Sequence, residues 1–238
     1  MARTMSAPQS AIDALGVLGV ELESGDLDAL GRYLESLYRA NTTMNLTAVP
    51  NGEEAWHRHI VDSLSLLPWI ASTGAMTVID VGTGGGLPGI PLALAVPELR
   101  MTLLESTGRK CEFLQECVNE LGLQSRCSVV NLRAEVAGHR PELRERFDLC
   151  VSRAVARLNV LLEYCIAFPK PGGHIVLIKG EQAQAEIDES KKALHSLHAQ
   201  VVESVRTPTG TIVAVEKLRG APKMYPRADG EPKRRPLR

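Results

Sequence analysis

The chain has 238 residues, of which 44% are hydrophobic, 23% charged and 4% aromatic, and its formal net charge is −1. This composition excludes a disordered chain or a fibrous repeat, because apolar side chains are abundant and glycine and proline follow no period. A folded chain of this length buries roughly 70–75% of its unfolded surface, enough for one large core. Taken alone, the near-neutral charge argues against nucleic acid as a partner.

Neither membrane spans nor disulfides are expected. No apolar run approaches the roughly 20 residues that cross a bilayer, so we interpret the chain as cytoplasmic. The five cysteines are odd in number and have no Cys-x-x-Cys spacing, which predicts reduced packing residues. His195 and His198 have helical spacing but no third ligand nearby, so we expect no metal.

Residues 1–75 have helical periodicity and are interpreted as an N-terminal extension. A first helix is expected after Ser24, where leucines recur at helical spacing. Its apolar stripe is Leu27, Leu30, Leu34 and Leu37. A second helix is predicted to begin with Asn51 as its cap and to end at Pro68 and Gly74. Its buried face is Trp56, Ile60, Leu64 and Leu67.

From residue 76 to 218, short apolar runs alternate with amphipathic ones, which is typical of a parallel sheet with helical crossovers. The predicted strands are Thr77–Val81, Met101–Glu105, Cys127–Leu132, Phe147–Ser152, His174–Ile178 and a late antiparallel Thr211–Lys217. The predicted helices are Pro88–Val96, Arg109–Leu121, Asn159–Phe168 and Gln182–Leu197. The sequence therefore predicts an α/β fold with a doubly wound, Rossmann-like sheet behind the helical extension.

Residues 219–238 form a basic tail. They contain seven Lys or Arg against two acidic residues, a net charge of +5, which leaves −6 on residues 1–218. The near-neutral total thus conceals two unlike regions, and the objection to nucleic acid falls. Four prolines argue against a further core element, so we expect a tail that either binds phosphate or is only solvated. If it binds RNA, deleting residues 220–238 should weaken RNA affinity and leave cofactor affinity unchanged.

The most informative segment is the glycine-rich run Asp80–Gly89, which follows the first strand of the sheet and opens a helix. Glycines let backbone amides approach a ligand, and a helix N-terminus presents unpaired N–H groups. Gly84, Gly86 and Gly89 satisfy G-x-G-x-x-G, and Glu105, 21 residues beyond Gly84, can bind ribose hydroxyls. A nicotinamide dinucleotide and other adenosine-containing cofactors both fit this fingerprint.

Further motifs are dispersed along the chain. They are Asn45-Leu46-Thr47, Arg58-His59-x-x-Asp62-Ser63-Leu64, Thr102-Leu103-Leu104-Glu105-Ser106, Arg133-Ala134-Glu135, Ser152-Arg153-Ala154 and Lys179-Gly180. With the glycine-rich run, they resemble class I S-adenosylmethionine-dependent methyltransferases, and more narrowly the bacterial 16S ribosomal RNA guanine-N7 methyltransferases, the glucose-inhibited division protein B family. The resemblance covers about residues 25–218, with Glu105 where the family more often has aspartate.

The resemblance implies methyl transfer from S-adenosylmethionine to N7 of one guanine in 16S ribosomal RNA, free or within the small ribosomal subunit; we expect a monomer. It implies cofactor contacts from Asp80, Gly82, Gly84, Gly86, Leu87, Glu105, Ala134, Glu135 and Arg153. Among these, the resemblance implies that Glu105 contacts the ribose and that Ala134 and Glu135 contact the adenine edge. Arg153 is also the candidate catalytic residue, because it would lie beside the cofactor where the base arrives. The alternatives are that Glu135 is only a solvated loop acid and Arg153 only a surface ion-pair partner. RNA contacts are expected from Asn45, Arg58, His59, Lys179, Arg234 and Arg235; alternatively, Arg58 and His59 order the loop around Asn45.

Three other functions remain open at this point. The same fold could methylate another RNA or a small molecule. The glycine fingerprint with its acidic residue also fits an NAD-dependent oxidoreductase. A non-catalytic RNA-binding module is the third, although it would have no need of the glycine-rich run with Glu105.

Overall fold

The computed structural model describes residues 5–22 and 24–238. Within them lies a seven-stranded sheet. Its strands are β1 (Thr77–Val81), β2 (Arg100–Glu105), β3 (Cys127–Asn131), β4 (Phe147–Arg153), β5 (Pro169–Lys179), β6 (Ala199–Thr207) and β7 (Gly210–Lys217). They lie in the order β3-β2-β1-β4-β5-β7-β6, with β1 to β5 parallel and β7 antiparallel to both of its neighbours. The predicted Rossmann-like architecture with a late antiparallel strand is confirmed.

Helices precede the sheet and connect its strands, and α12 follows the last strand. They are α1 (Gln9–Val17), α2 (Ser24–Met44), α3 (Glu53–Ala55), a π-helical segment (Trp56–Val61), α4 (Asp62–Leu64), α5 (Leu67–Thr73), α6 (Gly89–Ala95), α7 (Gly108–Glu120), α8 (Ala134–Ala137), α9 (Leu158–Cys165), α10 (Ala183–Glu189), α11 (Lys191–Leu197) and α12 (Glu231–Arg234). Among the described residues, no helix is both long and apolar enough to cross a membrane.

The second N-terminal helix differs from its prediction at both ends. It begins at Glu53 with Gly52 as the cap, not at Asn51, and continues from α3 through the π-helical segment into α4. Pro68 does not end it but lies in the first turn of α5, where the missing proline N–H has no helical partner to lose. Gly74 ends α5 in a left-handed conformation, as the sequence predicts.

Two apolar cores lie on opposite faces of the sheet, because successive residues of a strand point to opposite sides. In β1, Val78 belongs to one core and Ile79 to the other. The first core also contains Leu15 and Leu34 of the N-terminal helices, so the extension shares its core with the sheet. The predicted boundary at residue 75 therefore marks a change of pattern that packing crosses.

The edge strand β6 is absent from the sequence prediction. Its residues are exposed on both faces, with Val202 and Val205 at 42% and 41%, so the usual alternation of buried and polar side chains is blurred. The predicted helix Gln182–Leu197 is divided into α10 and α11 at Ser190, whose hydroxyl donates to the Glu186 carbonyl.

Candidate active site

A cavity of about 460 Å³ opens at the carboxyl ends of the central parallel strands. This edge is where the order of the strands reverses on either side of β1, the usual ligand position in such sheets. The volume lies within the range of small-molecule sites, roughly 300–1,000 Å³. Its wall includes Gly82 after β1, Leu104 in β2, Ala134 and Glu135 after β3, and Tyr164 in α9.

The turn between β1 and α6 depends on glycine. Gly82, Gly84 and Gly86 have φ values of +70°, +59° and +97°, in the left-handed region that other residues avoid. The amides of Gly82 and Thr83 donate to the Leu104 carbonyl at 2.9 and 3.2 Å, which ties the turn to β2. The loop is thereby fixed beside the cavity with its backbone close to any ligand.

The Asp80 side chain accepts hydrogen bonds from both ends of this turn. Its Oδ2 accepts hydrogen bonds from Thr83 Oγ1 at 2.6 Å and from the Gly89 amide at 2.9 Å. Its Oδ1 is buried and has no hydrogen-bond partner among residues 5–22 and 24–238. Burial raises the pKa of Asp80 to about 7, against the opposing effect of those two hydrogen bonds. The carboxyl group therefore has one acceptor oxygen unused.

Glu105 organises the neighbouring turn at the end of β2. Its Oε2 accepts from the Gly84 amide at 3.1 Å, and its Oε1 accepts from the Thr107 amide at 2.8 Å, just before α7. Only 7% of the residue is exposed. Each carboxylate oxygen can accept more than one hydrogen bond, so these contacts leave the predicted ribose role open to a bound ligand.

The residues around the cavity fit an adenosine-containing cofactor. An added Cβ at Gly82 would lie 2.7 Å from Val155 Cγ2, so this position admits no side chain between the loop after β4 and the cavity wall. Behind the lining residues Gly82 and Ser106, the carboxylate of Glu105 and the buried Oδ1 of Asp80 are acceptors in contact with the same glycine turn or beneath it. Cradle, acceptors and volume agree with the predicted cofactor class.

Arg153, the last residue of β4, joins the sheet to the N-terminal extension. Its Nη1 donates to the Arg58 carbonyl and its Nη2 to His59 Nδ1 at 3.2 Å. The same guanidinium lies 3.9 Å from Asp62 Oδ2, and Asp62 in turn accepts from the Thr209 hydroxyl between β6 and β7. Arg153 is thus a mostly buried junction of three parts of the fold, not an exposed ion-pair partner.

His59 is held neutral in this cluster. Burial and the nearby guanidinium of Arg153 lower its pKa to about 4. Because Nδ1 accepts from Arg153, the ring proton lies on Nε2, which donates to Thr47 Oγ1 at 3.0 Å. The loop that carries Asn45 is therefore positioned by a hydrogen-bond chain that begins at the end of β4.

Comparison with known proteins agrees with this geometry. The family model described as rRNA small subunit methyltransferase G matches residues 26–212. The chain belongs to this family. Its members are S-adenosylmethionine-dependent methyltransferases, so the predicted family, enzyme class and cofactor are confirmed.

Relatives named ribosomal RNA small subunit methyltransferase G cover almost the whole chain. That of Alkaliphilus metalliredigens is 40% identical over 95% of this chain and 97% of its own length. That of Lactobacillus johnsonii is 37% identical over 97% of this chain and 99% of its own. An O-methyltransferase from Bacillus cereus, solved in complex with SAH, superposes with a TM-score of 0.62 over 91% of this chain and all of that one. At 17% identity, this last similarity shows the fold.

The residues predicted to contact RNA are placed differently in this family member. Asn45 and Arg58 are exposed beside the Arg153 cluster, whereas the buried His59 orders the Asn45 loop instead of facing solvent. The Lys179 ammonium pairs with Glu186 at 2.8 Å and donates to the Ala156 carbonyl, and its side chain is only 8% exposed. The Lys179 ammonium therefore holds the loop after β4, and its contact with RNA stays a prediction.

The remaining predicted residues lie on the tail, in contact with the tail, or in the glycine turn. Arg234 and Arg235 are exposed, as an RNA contact requires. Glu135 is 5% exposed and accepts from the Gly230 amide at 3.0 Å, so it is not a solvated loop acid. Leu87 and Gly86 are buried within the glycine turn.

Sequence reasoning passed over two residues of this site. Tyr33 of α2 donates to the Gly85 carbonyl at 2.8 Å and supports the glycine turn from the extension. Asp62, which the sequence marks only as part of a motif, is the buried partner of Arg153. Both contacts join residues distant in sequence. In the described part of the chain, no cluster of three or more His, Cys, Asp or Glu side chains is placed to hold a metal.

Proposed function

We propose that this enzyme transfers the methyl group of S-adenosylmethionine to N7 of a guanine in 16S ribosomal RNA, free or within the small subunit. The observation that carries the proposal is the family match over residues 26–212 on a chain whose glycine turn, Asp80 and Glu105 fit the cofactor. The exposed Asn45 and Arg58 border the same edge of the sheet, which supports an entry for the base beside Arg153.

Bound S-adenosylmethionine supplies an electrophilic methyl group on a sulfonium sulfur. Guanine N7 has a lone pair and no proton, so the site needs no general base and catalysis rests on orientation and a suitable electrostatic environment. The chain provides rigid supports for that purpose. The glycine turn is pinned by Asp80 and Leu104, and Arg153 fixes the Asn45 loop through His59.

The test is to map 7-methylguanine in 16S ribosomal RNA by borohydride reduction and aniline cleavage. We expect one cleavage site in RNA from cells with the gene, its loss on deletion, and its return with the wild-type chain. The Gly84→Val variant should not restore it. Identical cleavage patterns with and without the gene would refute the proposal, and methylation of a small molecule alone by purified protein would move the acceptor to another class.

A further inference from the structure

The basic tail is a packed part of the fold, contrary to the expectation that its prolines exclude it from the core. Ala221 and Tyr225 are buried in the second core. Arg144 donates from Nη2 to the Ala221 carbonyl at 2.9 Å and from Nη1 to the Tyr225 carbonyl at 2.8 Å. The tail therefore returns to the sheet along a defined path.

A buried ion pair anchors the middle of the tail to α9. Arg227 donates to Glu163 through Nε at 2.8 Å and Nη2 at 2.6 Å, and its backbone amide donates to the same carboxylate at 2.8 Å. The Glu163 side chain is fully buried and that of Arg227 is 16% exposed. Breaking such a pair leaves an uncompensated buried charge, so the geometry strongly favours the docked tail.

Beyond this anchor the tail enters the wall of the cofactor cavity. The Gly230 amide donates to Glu135 Oε1, and Glu135 itself lines the cavity. The following residues Lys233, Pro236 and Arg238 line it too, together with Leu104, Ala134 and Tyr164. The tail thus adds a wall to the pocket that the strand ends and α9 leave incomplete.

We propose that residues 232–238 are the outer wall of the cofactor pocket and close over the adenosine end of the bound cofactor. The inference rests on the proposed function. The tail faces Ser106, next to the acid Glu105, and the segment Ala134–Glu135, all on the adenosine side of the predicted cofactor contacts. This placement revises the expectation that cofactor affinity is independent of the tail.

The experiment compares SAH binding by calorimetry in the full chain and in a variant truncated after Glu231. The truncation keeps the Arg227–Glu163 ion pair and the Gly230–Glu135 hydrogen bond, and it removes the lining residues. We expect the dissociation constant for SAH to rise about tenfold or more. A truncated variant that binds SAH within twofold of the full chain would overturn the inference.

A second pair of variants keeps the chain length, in case truncation affects folding. Lys233→Ala/Arg238→Ala removes two lining cations, and Lys191→Ala/Lys192→Ala removes two exposed cations of α11. We expect weaker SAH binding in the first variant alone, and equal affinities would contradict the proposal.

Two readouts separate the remaining outcomes. 5′-Methylthioadenosine should lose affinity on truncation by the same factor as SAH, and a loss confined to SAH would overturn the assignment to the adenosine end. Absence of SAH binding by the full chain would refute the proposed function itself, whereas a full chain that binds SAH with an indifferent tail refutes this inference alone.

Discussion

Gly84 and Gly172 share a left-handed backbone, with φ values of +59° and +79°, and an added Cβ would meet nothing closer than 4.0 Å at either position. We expect Gly84→Val to abolish SAH binding, because strain in the turn and the new side chain both keep the backbone from the ligand. Gly172 lies in β5 at the opposite end of the sheet. We expect each of the two substitutions to lower the free energy of unfolding by roughly 1–2 kcal/mol, whereas Gly172→Val should keep the SAH affinity of the wild type. Calorimetry and urea unfolding measure the two effects.

Wild-type SAH affinity in Gly84→Val would show that the glycine turn is not part of the cofactor site. Loss of binding in both variants would assign the effect to general strain.

Asp80 makes the stability of the protein depend on pH. Its pKa is raised in the fold from an ordinary value of 3.8 to about 7, so the protonated form is stabilising below pH 4 and that contribution is lost as the pH rises to 7. Asp80→Asn can keep an acceptor toward Thr83 and Gly89 without the buried charge. We expect the free energy of unfolding of Asp80→Asn, relative to that of the wild type, to increase by about 1 kcal/mol per pH unit between pH 5 and 7.

Asp148→Asn is the matched control for this measurement. Against the effect of burial, hydrogen bonds from Lys170 and Thr77 lower the pKa of Asp148 to about 2. The carboxylate is therefore ionised in both folded and unfolded chains between pH 5 and 7, and the difference from the wild type should stay constant there. A constant difference for Asp80→Asn as well would show that Asp80 ionises normally.

At single positions, the sequence predicts which residues form the site better than it predicts which side chains are exposed. The glycine turn, Asp80 and Glu105 follow from spacing after a strand, because local backbone geometry dictates those residue types. The side chain of His59 is buried against Arg153 and that of Lys179 against the Ala156 carbonyl, and both partners lie on other elements, so no local sequence pattern predicts these contacts.

Among the elements, β4 is joined at its carboxyl end to the helix that contains the π-helical segment. Arg153 connects them, and its removal would leave Asp62, 5% exposed, without its closest cation. We expect Arg153→Met to lower the free energy of unfolding by about 3 kcal/mol. The double variant Arg153→Met/Asp62→Asn should recover part of that loss, because the unpaired charge is gone. A denaturation cycle with strictly additive effects would contradict the pairing.

The sequence predicts a helix or strand well where one face of that element is buried along its whole length. Strands β1 to β4 and helix α7 lie within a few residues of their predictions, since their apolar residues face a core. The edge strand β6 is solvated on both faces and therefore carries no clear period. The start of α3 depends on Gly52, not on the capping side chain that Asn51 offers.

For the molecule as a whole, charge is divided between an acidic body and a basic tail that packs onto it. Arg234 and Arg235 are exposed on this tail. We expect Arg234→Ala/Arg235→Ala to weaken binding to 16S ribosomal RNA and to reduce the slope of log affinity against log salt by about 1–2. SAH affinity should stay unchanged.

Filter binding over a range of salt concentrations provides this measurement. Lys191→Ala/Lys192→Ala on α11 lowers the net charge equally and tests whether position matters. An unaltered salt slope for Arg234→Ala/Arg235→Ala would show that the tail contacts no phosphate. The sequence predicts the charge of the tail but not its docking, because Glu163, Glu135 and Arg144 lie far from it along the chain.

Because Lys233, Pro236 and Arg238 come late in the sequence, the pocket that they line is completed late during synthesis. A chain leaves the ribosome N-terminus first, so the glycine turn and the parallel strands β1 to β5 emerge before the tail, and β7 emerges directly before it. The cavity gains its last wall only when residue 238 has been translated and released from the exit tunnel. We therefore expect a nascent chain whose tail is still inside the exit tunnel to have the glycine turn without the finished pocket, and to reach full cofactor affinity only after the tail has emerged.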